Sequence, residues 1–467
     1  MKIEDTFHGY LEIDGEAFAY SITNQIITLL PAQSDVKKRY EVTERIATRT
    51  VDLPEFIHGE DNSAQIAFMR TSNFYRSTFG FVPALSFSPP IIFKANGNAD
   101  GYYNKLTEDW DRFHAITFVG GNINALFDPQ MAIVQQQKDD LLPQNGVTVI
   151  KTRPWEDYTR TTDFTIDNHR VNLTLSVFHR GENHDKTRKG AVVLGELNTL
   201  IRFSFENSQS FTCVEKCYKI IRSLVALLTM QNNVGFETYL NQRDSAGKLF
   251  QSAICKIYDG YEDYATKNQY SVLPLSVLFD YLPALIERIE NKKYDSLLSL
   301  LPEDNRHTNL ISITNVQDIC TALEVAYGWG KRKRNKDILI ADLKKRIKAT
   351  ITTFVNEQSD MDVNNETTIS SAFQYLDYTL KDKIEALYQE NKEIVDLVSK
   401  KWSLPTLSIE RIAAFVKLRN SKTHSGEVEW GERAEIYTLL FALEYICVLK
   451  DIGVPNETIK NLIYQVF

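Results

Sequence analysis

The chain has 467 residues, 43% hydrophobic, 24% charged and 11% aromatic, with a formal net charge of −8. This length and apolar content support two or three domains with ample cores, and the composition is ordinary for a globular protein. The negative balance excludes a nonspecific nucleic-acid coat but not a local basic site, and no apolar run approaches the roughly 18 residues of a membrane-spanning helix.

The start, Met1-Lys-Ile-Glu-Asp-Thr6, lacks the charged-then-apolar order of a secretory signal, so a cytoplasmic protein without membrane attachment is expected. The five cysteines are Cys213, Cys217, Cys255, Cys320 and Cys447. Only the first two are close, as Cys-x-x-x-Cys on a predicted helix, and no histidine stands near enough to complete a zinc pattern. They read as buried thiols of a reducing compartment. Neither a metal nor a cofactor is expected, and no phosphate-binding glycine loop or dinucleotide fingerprint is present.

Residues 1–210 read as mostly β. Short alternating or aromatic-rich runs recur at His8–Ile13, Gln25–Leu30, Phe113–Val119, Val147–Lys151, Val171–Phe178 and Leu200–Phe205. Turn signals at Asp14-Gly15, Asn96–Gly101 and Pro143–Gly146 separate them. The spacing predicts a β-sandwich or a strongly curved antiparallel sheet. From about Phe211 the pattern becomes helical, first over Val214–Met230 and again from Pro274 to about Lys293, so residues 211–305 are predicted to be a helical connector. The polar, proline-bearing Pro302–His307 marks the next boundary.

Residues 306–467 are predicted to be all helical. The helices run from about Asn315 to Tyr327, Asp337 to Asn356, Thr367 to Asn391, Ser408 to Thr423 and Glu429 to Asp451, with a short one after Pro455. The fold class is thus α+β: a β-rich first domain, a helical connector and a C-terminal bundle.

The chemistry concentrates near the end of the helix that closes at Thr423. Arg419, Asn420 and His424 form Arg-Asn-x-x-x-His, with Gly426 as a helix stop. An arginine fork holds two phosphate oxygens, an imidazole moves protons near neutral pH, and an amide orients either partner. The spacing alone describes more readily a polar helix end capped by a histidine.

Three stretches add to the spacing. Ile311–Tyr327 with its internal Glu324, Phe415–Gly426, and Leu443–Val454 with its Ile-Gly-Val turn together resemble the HEPN superfamily. The closer likeness is to the ApeA-like HEPN domain of bacterial anti-phage proteins, and His8–Ile13 and Phe113–Phe118, with the downstream Ala125-Leu-Phe127, resemble the N-terminal domain of those proteins more loosely. Here Ser425 separates His424 from Gly426, where His-Gly is commoner. The resemblance implies a C-terminal HEPN helical bundle acting as a metal-independent endoribonuclease with catalytic Arg419, Asn420 and His424. It also implies a homodimer through that bundle, cellular RNA as substrate with tRNA among the candidates, and an abortive-infection role set off by a phage-derived trigger at the N-terminal domain.

Around the triad, Lys417 and Lys422 read either as phosphate contacts or as solvated helix lysines. Glu324 reads as a residue orienting Arg419 or as a plain surface glutamate. The basic run Lys331–Lys336 reads as an RNA contact or an exposed loop. His58, His114, His169, His179 and His184 show no metal-like spacing, and Trp110 and Trp155 read as core or rim tryptophans before they read as a ligand pocket. The competing functional reading is a noncatalytic HEPN module that binds RNA or a nucleotide, or acts as a scaffold, beside a ligand-sensing β domain.

Overall fold

The computed structural model describes the chain apart from residues 1–5, 24, 49–53, 61–64, 71–74, 80–81, 96–110, 139–146, 181–195, 260–270, 304–310, 331–334, 358–378 and 422–431. It divides into two compact units, Met1–Glu290 and Asn291–Phe467. The first is dominated by a large antiparallel sheet and the second is helical, an α+β arrangement. Among the described residues no helix is long and apolar enough to cross a membrane.

The strands of the first unit are β1 (Thr6–Ile13), β2 (Glu16–Thr23), β3 (Ile26–Pro31), β4 (Phe56–Glu60), β5 (Gln65–Met69), β6 (Tyr75–Phe79), β7 (Val82–Phe87) and β8 (Ile91–Ala95). They continue as β9 (Arg112–Val119), β10 (Ile133–Lys138), β11 (Val147–Thr152), β12 (Arg160–Ile166), β13 (His169–Arg180), β14 (Glu196–Ser210), β15 (Glu237–Arg243) and β16 (Leu249–Ile257). Fourteen of them hydrogen-bond in one series, β12-β13-β14-β9-β15-β16-β8-β5-β4-β1-β2-β3-β7-β6, while β10 and β11 pair separately. The hydrogen bonding is therefore one continuous sheet, where the spacing had also suggested a sandwich.

The turn residues act as their types require. Asp14 and Gly15 take φ of 53° and 73°, the two positive values that a tight hairpin between β1 and β2 needs. At Gly121 (φ 54°) a Cβ would run into the carbonyl of Gly235, so only glycine fits beneath that strand connection.

The short helices of this unit are α1 (Val36–Ala47), α2 (Ile123–Leu126) and α3 (Trp155–Tyr158); the long one is α4 (Thr212–Thr229), followed by α5 (Leu275–Leu278) and α6 (Leu282–Glu290). Val42 and Ile46 of α1 join a core with Phe18, Ile27, Leu29, Phe68 and Leu85. At the start of α4, Phe211 stacks on Phe93 at 4.1 Å and meets Phe56 edge-on at 5.9 Å. Both Phe211 and Phe93 are buried, each worth about 2–3 kcal/mol of transfer free energy.

The predicted connector is only partly helical. After α4 the chain returns to the sheet, and β15 and β16 lie in its interior between β9 and β8. Their alternation is masked because a bulge between Leu240 and Asn241 breaks the period, and because Thr238 and Asn241 are polar yet buried. Asn241 is accommodated by Thr117, whose hydroxyl donates to its Oδ1 at 2.8 Å.

The second unit contains α7 (Asp295–Leu298), α8 (Ile313–Trp329), α9 (Asn335–Glu357), α10 (Leu380–Lys401), α11 (Ile409–Ser421), α12 (Arg433–Asp451) and α13 (Asn456–Val466). Helices α8, α10 and α12 pack on one another, α11 packs against all three, and α13 packs on α10 and α12. Capping boxes start α8 (Ser312 with Asn315) and α10 (Thr379 with Asp382). Helix α12 stops at Gly453 (φ 88°), where Gly453 N donates to Lys450 O and Val454 N to Leu449 O, both at 3.0 Å. That is a Schellman stop, the Ile-Gly-Val turn expected from the sequence.

The unit begins at 291 rather than in Pro302–His307. Lys293 Nζ lies 2.6 Å from Asp451 Oδ1, and the Tyr294 hydroxyl donates to Asp451 Oδ2 at 2.9 Å. Tyr294, only 1% exposed, also meets Trp329 edge-on at 5.2 Å. These ties bind the segment before α8 into the helical core.

Candidate functional site

Helix α11 carries the first two residues of the motif. Its inward stripe is Ile412, Phe415 and Leu418, all buried. Arg419 follows Phe415 by four positions and Ile412 by seven, so it continues this stripe, and it is half-buried. Lys417 stands two positions back, roughly 200° round the helix from Arg419, and is exposed. This exposed position lies off the Arg419 face. Asn420 is the penultimate residue of α11, one helical step on from Arg419. Lys422 and His424 lie outside the described residues, as does Gly426, so the relation of the imidazole to Arg419 is part of the proposal below. The described flanks of that segment are Ser421 and Glu432, and Arg411 bonds Glu432 Oε2 from Nε at 3.1 Å and the Thr406 carbonyl from Nη1 at 2.8 Å.

Across from Arg419 stands α8. Cys320 and Glu324 lie one turn apart on one face of it, and the Cys320 thiol senses both Arg419 and Glu324. Burial raises that thiol to about 12, with the guanidinium pulling down and the carboxylate pushing up. The fold thus brings Arg419 and Glu324 to the same part of α8. Glu324, however, spends its described ion pair on Lys383 of α10, whose Nζ lies 2.6 Å from Glu324 Oε1. A Glu324–Lys383 pair thus stands in the same neighbourhood of α8 as Arg419. Among the described residues Arg419 itself makes no ion pair.

Lys383 was not legible as a site residue, because it sits 59 positions from Glu324 on a charged helix face that reads as solvated. Its side chain is 24% exposed. A second unforeseen group is Glu444, on α12 and 1% exposed. Its Oε2 has no hydrogen-bond partner among the described residues, and burial raises the carboxyl to about 8. Burial pushes the neighbouring Tyr445 phenol up, with Glu444 and then Tyr437 adding to it.

Chemically, the described part of the site offers a half-buried guanidinium at a helix end, a thiol too weakly acidic to be a nucleophile near neutral pH, and a lysine held by a carboxylate. Such a set suits an anion with several oxygens. In the β-rich unit His58 is half-buried with its pKa lowered by burial against a raising Glu60, and His114 Nδ1 accepts from Arg243 N at 3.3 Å. Trp155 is exposed at 51% and packs edge-on against Tyr158, a rim position; Trp110 and His184 lie outside the described residues. Among the described residues no three His, Cys, Asp or Glu side chains gather as a metal site. Compared with models of known protein families, with curated proteins and with solved structures, the chain matches none.

Proposed function

We propose that the helical unit is a HEPN-like endoribonuclease and that the β-rich unit regulates it, in an anti-phage effector that arrests growth by cutting cellular RNA. The reading rests on the Arg419-Asn420-x-x-x-His424 array in a helical unit, and one observation carries it. Arg419 continues the buried stripe of α11 toward α8, half-buried, and its charge reaches the Cys320 thiol there.

In the proposed reaction an RNA 2′-hydroxyl attacks the adjacent phosphorus, the P–O5′ bond breaks, and the products are a 2′,3′-cyclic phosphate and a 5′-hydroxyl. His424 takes the 2′-proton or gives a proton to the leaving 5′-oxygen. Arg419 stabilises the extra negative charge on the pentacoordinate phosphorus, a role worth roughly 3–4 kcal/mol when a single donor is removed elsewhere. Asn420 orients the imidazole or the phosphate. One imidazole does not easily serve as base and acid in the same step, so a second copy from a symmetric partner completes the site, and the active form is a homodimer through the helical unit.

The test separates cutting from binding. Purified wild type, Arg419→Ala and His424→Ala chains are incubated with total RNA, tRNA included, and scored for both retention and cleavage. The proposal expects cleavage lost in both variants, with RNA retained by His424→Ala. Equal retention across all three with no cleavage by wild type, even with extract from infected cells, would instead establish a noncatalytic binding module.

A further inference from the structure

We propose that Cys213 and Cys217 form a redox-active dithiol of the β-rich unit, which hydrogen peroxide oxidises to an intramolecular disulfide. The two residues stand one helical turn apart on α4, and their Sγ atoms are 3.7 Å apart. Cys213 is partly exposed whereas Cys217 is 0% exposed, so one sulfur is open to an oxidant and the other waits behind it. The remaining three cysteines of the chain are buried.

The environment divides the roles. Contact with Cys217 lowers the pKa of the Cys213 thiol, against burial and Asp167, with Lys216 adding to the lowering. Cys217 is pushed well up, by the same contact and by burial. Cys213 also lies in the first turn of an 18-residue helix, where the positive end of the helix dipole favours a thiolate. The exposed, more acidic sulfur is the one that meets peroxide first.

The chemistry balances with peroxide as the oxidant. The Cys213 thiolate attacks one peroxide oxygen, the O–O bond breaks, and hydroxide leaves and takes up the thiol's former proton to become water. The resulting sulfenic acid is attacked by the Cys217 sulfur. The S–S bond forms, the S–O bond breaks, and the hydroxyl leaves as a second water with the Cys217 proton. Two electrons pass from the sulfur pair to the peroxide.

Closing the bond needs the sulfurs to move from 3.7 Å to about 2.05 Å. Four residues of helix place the Cα atoms about 6 Å apart, inside the range that disulfides span, while the Cβ atoms must close from about 5–6 Å to about 4 Å, so the first turn distorts as the bond forms. At the helix start Thr212 N donates to Ser210 Oγ at 3.4 Å and Val214 N to Phe211 O at 3.0 Å, so closing the ring requires this first turn to loosen those two bonds. The ring to be closed contains Lys216, whose Nζ joins Asp167 Oδ1 at 2.5 Å to Glu290 Oε1 at 2.7 Å. Oxidation therefore acts on a charge link between α4, the β12–β13 turn and the end of α6.

The experiment treats the native full-length chain with a modest excess of hydrogen peroxide, blocks free thiols with an alkylating reagent, and digests with trypsin. Trypsin cuts after Lys216, so the cysteines fall in peptides 203–216 and 217–219, which stay joined only by a disulfide. The expected result is that joined pair, with two of the five thiols lost and Cys255 of the same unit still free. In Cys217→Ser the expected product is a Cys213 sulfenic acid, captured by a cyclic dione. Wild-type chain that keeps all thiols, or gives sulfinic acid at Cys213 without the joined pair, would overturn the proposal.

Discussion

The two units satisfy their polar groups over different distances along the chain. In the β-rich unit the buried contacts are long-range: Thr117 reaches Asn241 over 124 positions, and Arg202 Nε donates to Thr117 Oγ1 over 85. Tyr218 and Arg222 converge on Asp259 at 2.7 and 2.9 Å. In the helical unit two helix starts are closed by neighbours three positions away, Ser312 with Asn315 and Thr379 with Asp382, and ties such as Lys293–Asp451 and Lys383–Glu324 join the helices so closed. A sheet of non-local pairs holds together only when every strand is in register, whereas capped helices are nearly specified before they meet. The same contrast explains why a carboxyl such as Glu444 is tolerated inside the helical unit. The helices around it close their own backbone bonds, and burial keeps the group protonated instead of drawing in a partner.

The contrast can be broken most severely at Phe211. Phe211→Ala removes a ring stacked on Phe93 at the junction of sheet and α4, and is expected to cost about 3–5 kcal/mol. Hydrogen exchange should then show lost protection in β8 and α4; unchanged protection there would mean that the sheet tolerates the cavity by local collapse.

Glu444 gives an effect of similar size, through pH. Its carboxyl titrates near 8 when folded, against 4.5 unperturbed. Below 4.5 both states carry the proton and no slope arises. Between 4.5 and about 8 only the folded state keeps it, so wild-type stability falls as pH rises, by up to about 1.4 kcal/mol per pH unit from this group. Glu444→Gln should therefore gain on wild type steadily through that window in urea melts. Parallel stability curves for the two proteins would sink the assignment.

Asp451→Ala should cost about 2 kcal/mol, since it removes the carboxylate that both the Lys293 ammonium and the buried Tyr294 hydroxyl bond, and Asp451→Asn should recover part of that through its amide oxygen. Smallest is Ser312→Ala, which removes one reciprocal cap of α8 at about 1 kcal/mol. If the sheet-side and helix-side losses came out equal, the distinction between register-held and cap-held units would lose its force.

The same physics decides what the sequence reveals. Gly453 announces its left-handed stop because only a few residues tolerate that backbone, and α8, α11 and α12 follow from their periodic stripes. Strands β15 and β16 do not, because a bulge and buried polar residues erase the alternation. In the site, the inward direction of Arg419 is implied by its spacing from Ile412 and Phe415. The Glu324–Lys383 pair is not, since it depends on how α8 and α10 pack. Cys213 and Cys217 are visible as neighbours on a helix, but the split between an open and a buried sulfur appears only once the sheet covers one face of α4.

The central claim is that Arg419 and His424 serve RNA cleavage, and the most direct measurement is the chemistry of RNA ends in cells. The wild-type chain and His424→Ala are induced with and without phage, and 5′-hydroxyl and 2′,3′-cyclic phosphate ends are sequenced. Infected cells carrying the wild type should stop growing and accumulate paired ends of both kinds at shared positions, and cells carrying His424→Ala should show neither. The same growth and the same RNA ends in both would contradict the account and move the search for function to the β-rich unit.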